Sequence, residues 1–193
     1  MKTPILLAMA GPNGSGKSTV ISEFPPIGEY VNADEIQRIL NCNSLEAAQI
    51  AERTRETLLA QNKSFTFETV LSTERNIFLM ERAKENGYTV ICVYVLTCDP
   101  KININRVESR VKNGGHSVPP EKIESRYHRA MKLFPRLFTM CDEIYVYDNS
   151  LDRNDGEPRL ILHYDYGQLR AYPNEIWTKE MLESLCNGSY SVE

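Results

Sequence analysis

Cysteine is scarce in this 193-residue chain, and the five present are an odd number. Cys42, Cys92, Cys98, Cys141 and Cys186 form no Cys-x-x-Cys pair and no Cys/His ligand spacing. That pattern excludes a disulfide framework and a zinc module, and idle thiols in a reducing cytoplasm are expected. Long apolar runs are also missing. Tyr88–Leu96, one of the longest, falls far short of a bilayer span, so no membrane-crossing segment is expected. The first residues carry one cation and too short an apolar stretch for a secretory signal, and Ile5–Met9 reads better as a strand. Neither an internal repeat nor a low-complexity segment interrupts the chain, whose length suits a single domain over residues 1–193.

Charge is present in both signs but unevenly placed, behind a net value of −4. Residues 1–100 carry 9 basic and 12 acidic groups, residues 101–136 carry 9 and 3, and residues 137–193 carry 4 and 11. An acidic whole argues against nucleic-acid binding. The basic middle segment suits either a phosphate-rich small ligand or a solvated helical face.

Strand-like and helix-like segments alternate, which predicts an α/β fold with a mainly parallel sheet of about five strands and helices on both faces. The strands are expected at Ile5–Met9, Glu29–Asn32, Ser64–Glu68, Tyr88–Leu96 and Glu143–Tyr147. Helices are expected at Ser15–Glu23, Ala33–Leu40, Asn43–Gln61 and Thr73–Asn86, the third opened by an Asn43/Glu46 capping box and the fourth closed by Gly87. Asp99-Pro100 opens a further helix as cap and first turn, and Pro119-Pro120 opens the next. An Asp155-Gly156 turn predicts that Arg159–Tyr164 folds back as a C-terminal edge hairpin, before a terminal helix over Glu175–Cys186.

One motif is complete. Gly11-Pro12-Asn13-Gly14-Ser15-Gly16-Lys17-Ser18-Thr19 satisfies G-x-x-x-x-G-K-[ST] at every fixed position, directly after a strand and before a helix. Its glycines let successive N–H groups turn inward on a phosphate. Lys17 is expected at the β/γ phosphates of ATP and the Ser18 hydroxyl on Mg2+. The motif fixes a nucleotide but not a reaction. The chain lacks Asn-Lys-x-Asp for guanine and Leu-Ser-Gly-Gly-Gln, which weakens a GTPase switch and a transporter-type ATPase.

Beyond the loop, residues 5–150 resemble the zeta-toxin family of small kinases. The matching pieces, in order, are Asn32-Ala-Asp34-Glu35-Ile36, Phe67-Glu68-Thr69-Val70-Leu71-Ser72, Asn105-Arg106-Val107, Arg110 through Pro119, Arg126-Tyr127-x-Arg129 and Tyr147-Asp148-Asn149-Ser150. The resemblance implies an ATP-dependent kinase with UDP-N-acetylglucosamine as candidate phosphoacceptor, and an antitoxin protein as candidate partner. It implies that Asp34 is the catalytic aspartate, that Glu68 holds substrate and that Arg110 is the first lid arginine. The second lid arginine aligns with His116, so Arg126 or Arg129 is expected to substitute. Val70 and Ser72 stand where the family members acting on the nucleotide sugar carry Thr and Arg.

The residues themselves leave alternatives. Asp34 lies at the carboxyl edge of the sheet, where a kinase needs a carboxylate near the acceptor hydroxyl, but it could equally cap the helix that follows. Glu68 reads as a substrate ligand or a surface carboxylate. Arginines within 101–136 suit a lid that neutralises a transferring phosphoryl group, while Arg126 and Arg129 also suit helical salt bridges. Asn149 lines an adenine pocket or makes a turn. The competing function is a slow nucleotide-dependent switch that acts through a protein partner.

Overall fold

A computed structural model describes residues 3–21, 23–115, 117–151 and 156–187. Its centre is a seven-stranded sheet in the order β2-β3-β1-β4-β5-β6-β7. The strands are β1 (Ile5–Ala10), β2 (Glu29–Val31), β3 (Phe65–Thr69), β4 (Thr89–Leu96), β5 (Glu143–Asp148), β6 (Arg159–Asp165) and β7 (Gln168–Ala171). The first five in chain order run parallel, while β6 and β7 are antiparallel additions. β1 sits between β3 and β4; the connection after β1 leads past β3 to β2, while that after β3 crosses back over β1 to β4, so the carboxyl ends of β1 and β3 flank a topological switch point.

The helices start and stop where local chemistry directs. They are α1 (Lys17–Ile21), α2 (Ala33–Leu40), α3 (Ser44–Ala60), α4 (Glu74–Glu85), α5 (Pro100–Lys112), α6 (Pro120–Leu133), α7 (Leu137–Met140) and α8 (Lys179–Leu185). Asn43 and Glu46 form the expected capping box on α3, and the Asp99 side chain accepts from Lys101 N at the start of α5, with Pro100 in the first turn. No helix among the described residues is long and apolar enough to cross a membrane.

Alternation along each strand divides the core. Leu6, Ala8 and Ala10 of β1 join Phe65, Phe67, Tyr94 and Leu96 beneath α3, α4 and the α6–α7 segment. Leu7 and Met9 join Val93 and Val95 on the opposite face, against Val20 of α1. β4 is apolar on both faces because it is covered on both, as parallel strands require.

Three expectations change. The sheet has seven strands, and β6 is not its edge, because β7 pairs beyond it. The turn between them is Tyr166-Gly167, with φ of 41° and 94°, so both central residues adopt the left-handed conformation of a tight hairpin. A tyrosine at its first position and a four-residue polar strand left no recognisable pattern. The predicted Asp155-Gly156 turn falls partly outside the described residues, Asp155 being among those left out. At the terminal helix, the Asn174 side chain accepts from Ile176 N and Trp177 N, holding a turn that delays the helix to Lys179. The helix after the phosphate loop is likewise shorter than Ser15–Glu23, covering Lys17–Ile21.

The entry to β5 is pinned by Asp142, 7% exposed, whose carboxylate accepts from Val90 N at 2.9 Å and from Lys84 Nζ of α4. Removing it orphans a buried N–H and an ammonium together. Asp142→Ala is expected to cost roughly 2–4 kcal/mol of unfolding free energy, read from denaturant unfolding.

Candidate functional site

Gly11 N donates to Thr69 O of β3 at 3.1 Å, which joins the start of the phosphate loop to the end of the neighbouring strand. From there the loop turns tightly. Gly14 and Gly16 have φ of 78° and 86°, and a Cβ on either would strike Asn103 O at 2.4 Å or Asn149 Nδ2 at 2.0 Å. Only glycine fits at these points, for conformational and steric reasons together. Ser15 is fully buried, and among the described residues its Oγ has no hydrogen-bond partner.

Lys17 Nζ donates to Gly11 O at 2.8 Å and to Pro12 O at 3.3 Å, folding the side chain back over its own loop. Burial pushes its ammonium below the ordinary lysine range. The carboxylates of Glu68 and Asp34 oppose that shift, and the Arg110 guanidinium adds to it. Four residues from four separate chain segments therefore share one electrostatic neighbourhood: Lys17, Asp34, Glu68 and Arg110. Ser18 is exposed at the start of α1.

The side of the site that holds Asp34 and Glu68 is organised by Asn32. Its Oδ1 accepts from Asp34 N at 2.9 Å and Glu35 N at 3.4 Å, so Asn32 caps α2 and Asp34 does not. That removes the capping explanation for Asp34, whose exposed carboxylate lines a groove of about 580 Å³ with Gln37 and Arg38. The same Asn32 amide donates through Nδ2 to Glu68 Oε1 at 2.7 Å and to Tyr30 Oη at 3.2 Å. Tyr30 Oη donates to Glu68 Oε1 as well. Burial first, and then this bond, hold the phenol well above its ordinary pKa. Glu68 is thus a fixed, half-buried carboxylate rather than a loose surface one.

Val70 and Ser72 follow in the loop after β3, around Leu71. Leu71 is buried at φ 53°, left-handed for a residue with a Cβ, and its N–H is held by Thr69 Oγ1 at 2.9 Å. Strain of this kind concentrates where a loop serves a site.

The basic segment meets the loop from the other side. Arg110 is exposed in the last turn of α5, and Arg126 of α6 donates to Asn13 Oδ1 at 3.2 Å. Arg126 therefore touches the loop instead of making a helical salt bridge, whereas Arg129 is exposed on the same helix. His116 lies outside the described residues. Asn149 does more than make a turn: its Nδ2 donates to Ser15 O at 2.8 Å, while Asp148 Oδ1 accepts from Ser150 N and makes the turn. Tyr30, Asn32 and Asn103 carried no recognisable role in the sequence. The amide of Asn32 could have been suspected, being an N-cap residue two places before Asp34.

Residues 23–160 match the sequence profile described as Zeta toxin. A curated relative from Haemophilus influenzae, described as an uncharacterized protein, is 32% identical over 124 residues, which are 61% of this chain and 88% of the relative. Among solved structures, one chain of the AvrRxo1-ORF1:AvrRxo1-ORF2 complex with ATP superimposes with a TM-score of 0.72 at 18% identity. The alignment covers 99% of this chain but only 66% of that one. A chain of the PezAT chromosomal toxin-antitoxin system of Streptococcus pneumoniae gives 0.58 at 18% identity, covering 99% of this chain and 81% of its own. These two share the fold. The family profile spans well over half of the chain, and the protein belongs to the zeta toxin family.

Proposed function

We propose that the protein is an ATP-dependent kinase that transfers the γ-phosphoryl group of ATP to a hydroxyl of a phosphorylated small metabolite. The observation that carries this reading is that the charges of Asp34, Glu68 and Arg110 all act on the Lys17 ammonium of the phosphate loop, with Glu68 held at the end of β3 by Tyr30 and Asn32. A switch needs the lysine; only a transferase needs a carboxylate pair and a lid cation acting on it.

The residues present fit ATP. Left-handed glycines open the loop, and Ser15 offers a buried hydroxyl without a partner. Gly11 through Thr19 would wrap the phosphates, and Lys17 would exchange the Gly11 and Pro12 carbonyls for phosphate oxygens. Ser18 would give Mg2+ one protein oxygen, the remaining ligands being phosphates and water. Bound Mg·ATP supplies the activated phosphoryl group. Asp34 would orient the acceptor hydroxyl and take its proton. Glu68, with Oε1 already held by Tyr30 and Asn32, would present its other oxygen to the acceptor. Arg110 would neutralise charge on the transferring group, and Arg126 would act from its place on Asn13.

UDP-N-acetylglucosamine is the first acceptor to test, from the family resemblance. Val70 and Ser72 offer neither the hydroxyl-bearing threonine nor the cation found in members that use it, so other phosphorylated metabolites belong in the same panel. An antitoxin protein is the proposed partner, and a protein of the fold neighbour PezAT belongs to a toxin-antitoxin system. Labelled ATP offered with the panel tests the reading. Label transferred to a metabolite hydroxyl supports it, and hydrolysis with no transfer to any acceptor would favour a nucleotide-dependent switch.

Three substitutions separate the roles. Asp34→Asn keeps shape while removing charge and basicity, and α2 keeps its own cap in Asn32. It should lower turnover by roughly 10² or more at unchanged nucleotide affinity; equal turnover would remove Asp34 from the chemistry. Arg110→Ala should lower kcat by ~10³ with little effect on ATP binding, and a loss confined to ATP affinity would make it a ground-state contact. Tyr30→Phe frees Glu68 from one of its two donors. It should reduce kcat/KM for the acceptor by about tenfold while the nucleotide Kd stays put; an unchanged acceptor kcat/KM would remove Tyr30 from that role.

A further inference from the structure

The phosphate loop is gripped from outside by two side-chain amides. Asn103 of α5, fully buried, donates from Nδ2 to Asn13 O at 2.8 Å, and its Oδ1 accepts from the buried Thr97 hydroxyl. Asn149 donates from Nδ2 to Ser15 O at 2.8 Å. The grips bracket Gly14, and Gly14 and Gly16 are the positions where a Cβ would strike Asn103 and Asn149.

Asn149 is itself held. Its N–H donates to Leu96 O at 2.9 Å, and Arg106 of α5 donates to Asn149 O and to Leu151 O, each at 2.6 Å. Arg106 is thus a cation used to staple the chain on both sides of Ser150. On α5, Asn103, Arg106 and Arg110 stand at i, i+3 and i+7, which is one face of a helix. That single face grips the loop directly, grips it again through Asn149, and carries the lid arginine whose charge reaches Lys17.

We propose that Asn149 and Arg106 are positioning residues, acting in series to hold the Ser15–Gly16 peptide of the phosphate loop in register with Arg110. The inference rests on the kinase reading. In its terms, α5 sets the distance between the cation that binds phosphate and the cation that stabilises its transfer. Loop and lid cannot drift apart while the staple is intact.

The test is a double-mutant cycle on the full chain, with the Kd of a non-hydrolysable ATP analogue measured by calorimetry and kcat measured beside it. Asn149→Ala leaves Ser15 O without its donor and should weaken the analogue by about tenfold and lower kcat as well. Arg106→Ala should weaken it comparably. Because the two act in series, the double variant should bind within about twofold of the weaker single variant. A role confined to general stability would shift the melting temperature without this non-additivity in Kd. Should an alanine variant fail to fold, Asn149→Ser and Arg106→Lys provide the same cycle with a hydrogen-bonding group retained at each position.

Lys17→Ala is the reference. If it loses the analogue while Asn149→Ala binds within about twofold of wild type, the positioning role is overturned and the nucleotide site stands. Multiplicative losses in the double variant would overturn the series arrangement. If Lys17→Ala binds normally, the nucleotide-site reading falls, and this inference falls with it.

Discussion

The backbone of the phosphate loop passes closer to its neighbours than any side chain at positions 14 and 16 would permit, and much of the site follows from that approach. The carbonyls of a loop packed this closely need donors. Asn103 serves the carbonyl of Asn13, Asn149 serves that of Ser15, and Lys17 serves those of Gly11 and Pro12. The first two are fixed amides on rigid elements, whereas the third is a flexible cation. The permanent frame and the part able to exchange partners are thereby separated. Burial that lowers the Lys17 pKa expresses the same arrangement, since an ammonium held among carbonyls has lost much of its water.

Asn32 performs the corresponding task for Asp34 and Glu68 with the two ends of one amide. Its oxygen starts α2 and so fixes Asp34 in the first turn; its nitrogen fixes Glu68 at the end of β3. Two carboxylates whose charges act on Lys17, one on α2 and one on β3, are thus referenced to one side chain. An aspartate in the same place could cap the helix but would repel Glu68, and a serine could not reach both. The residue type is dictated by needing a donor and an acceptor together.

Most of the element pattern was legible because its causes are local. The capping box at Asn43, the Asp99-Pro100 start and the doubly apolar β4 each depend on a few neighbouring residues. What escaped depends on distant partners. β7 is four residues of half-exposed, mixed character, and it exists as a strand because β6 offers it a hydrogen-bonding edge. The site divides in the same way. The loop was marked by its motif, and Asp34, Glu68 and Arg110 were candidates through the family resemblance, but Asp34 kept a capping alternative that only the placement of Asn32 removes. Tyr30 meets Glu68 across 38 positions of sequence and Asn149 meets Ser15 across 134, separations at which no spacing rule operates.

Charge counting gave a partial answer for a related reason. The basic segment looked like a lid because cations outnumber anions there, yet its arginines have different employments. Arg136 pairs with Glu74 and Glu81 of α4, so it balances charge that lies outside the segment. Arg106 spends its guanidinium on two backbone carbonyls, a use that planar, multiply donating arginine serves better than lysine. Arg126 reaches the loop through a neutral side chain, and the charge of Arg110 acts on Lys17. Net charge therefore marks where phosphate chemistry is affordable, while the hydrogen-bond partner of each arginine determines whether it shapes the site or acts within it. By that criterion α5 carries both kinds, Arg106 holding backbone beside the loop and Arg110 being the cation proposed to act within the site.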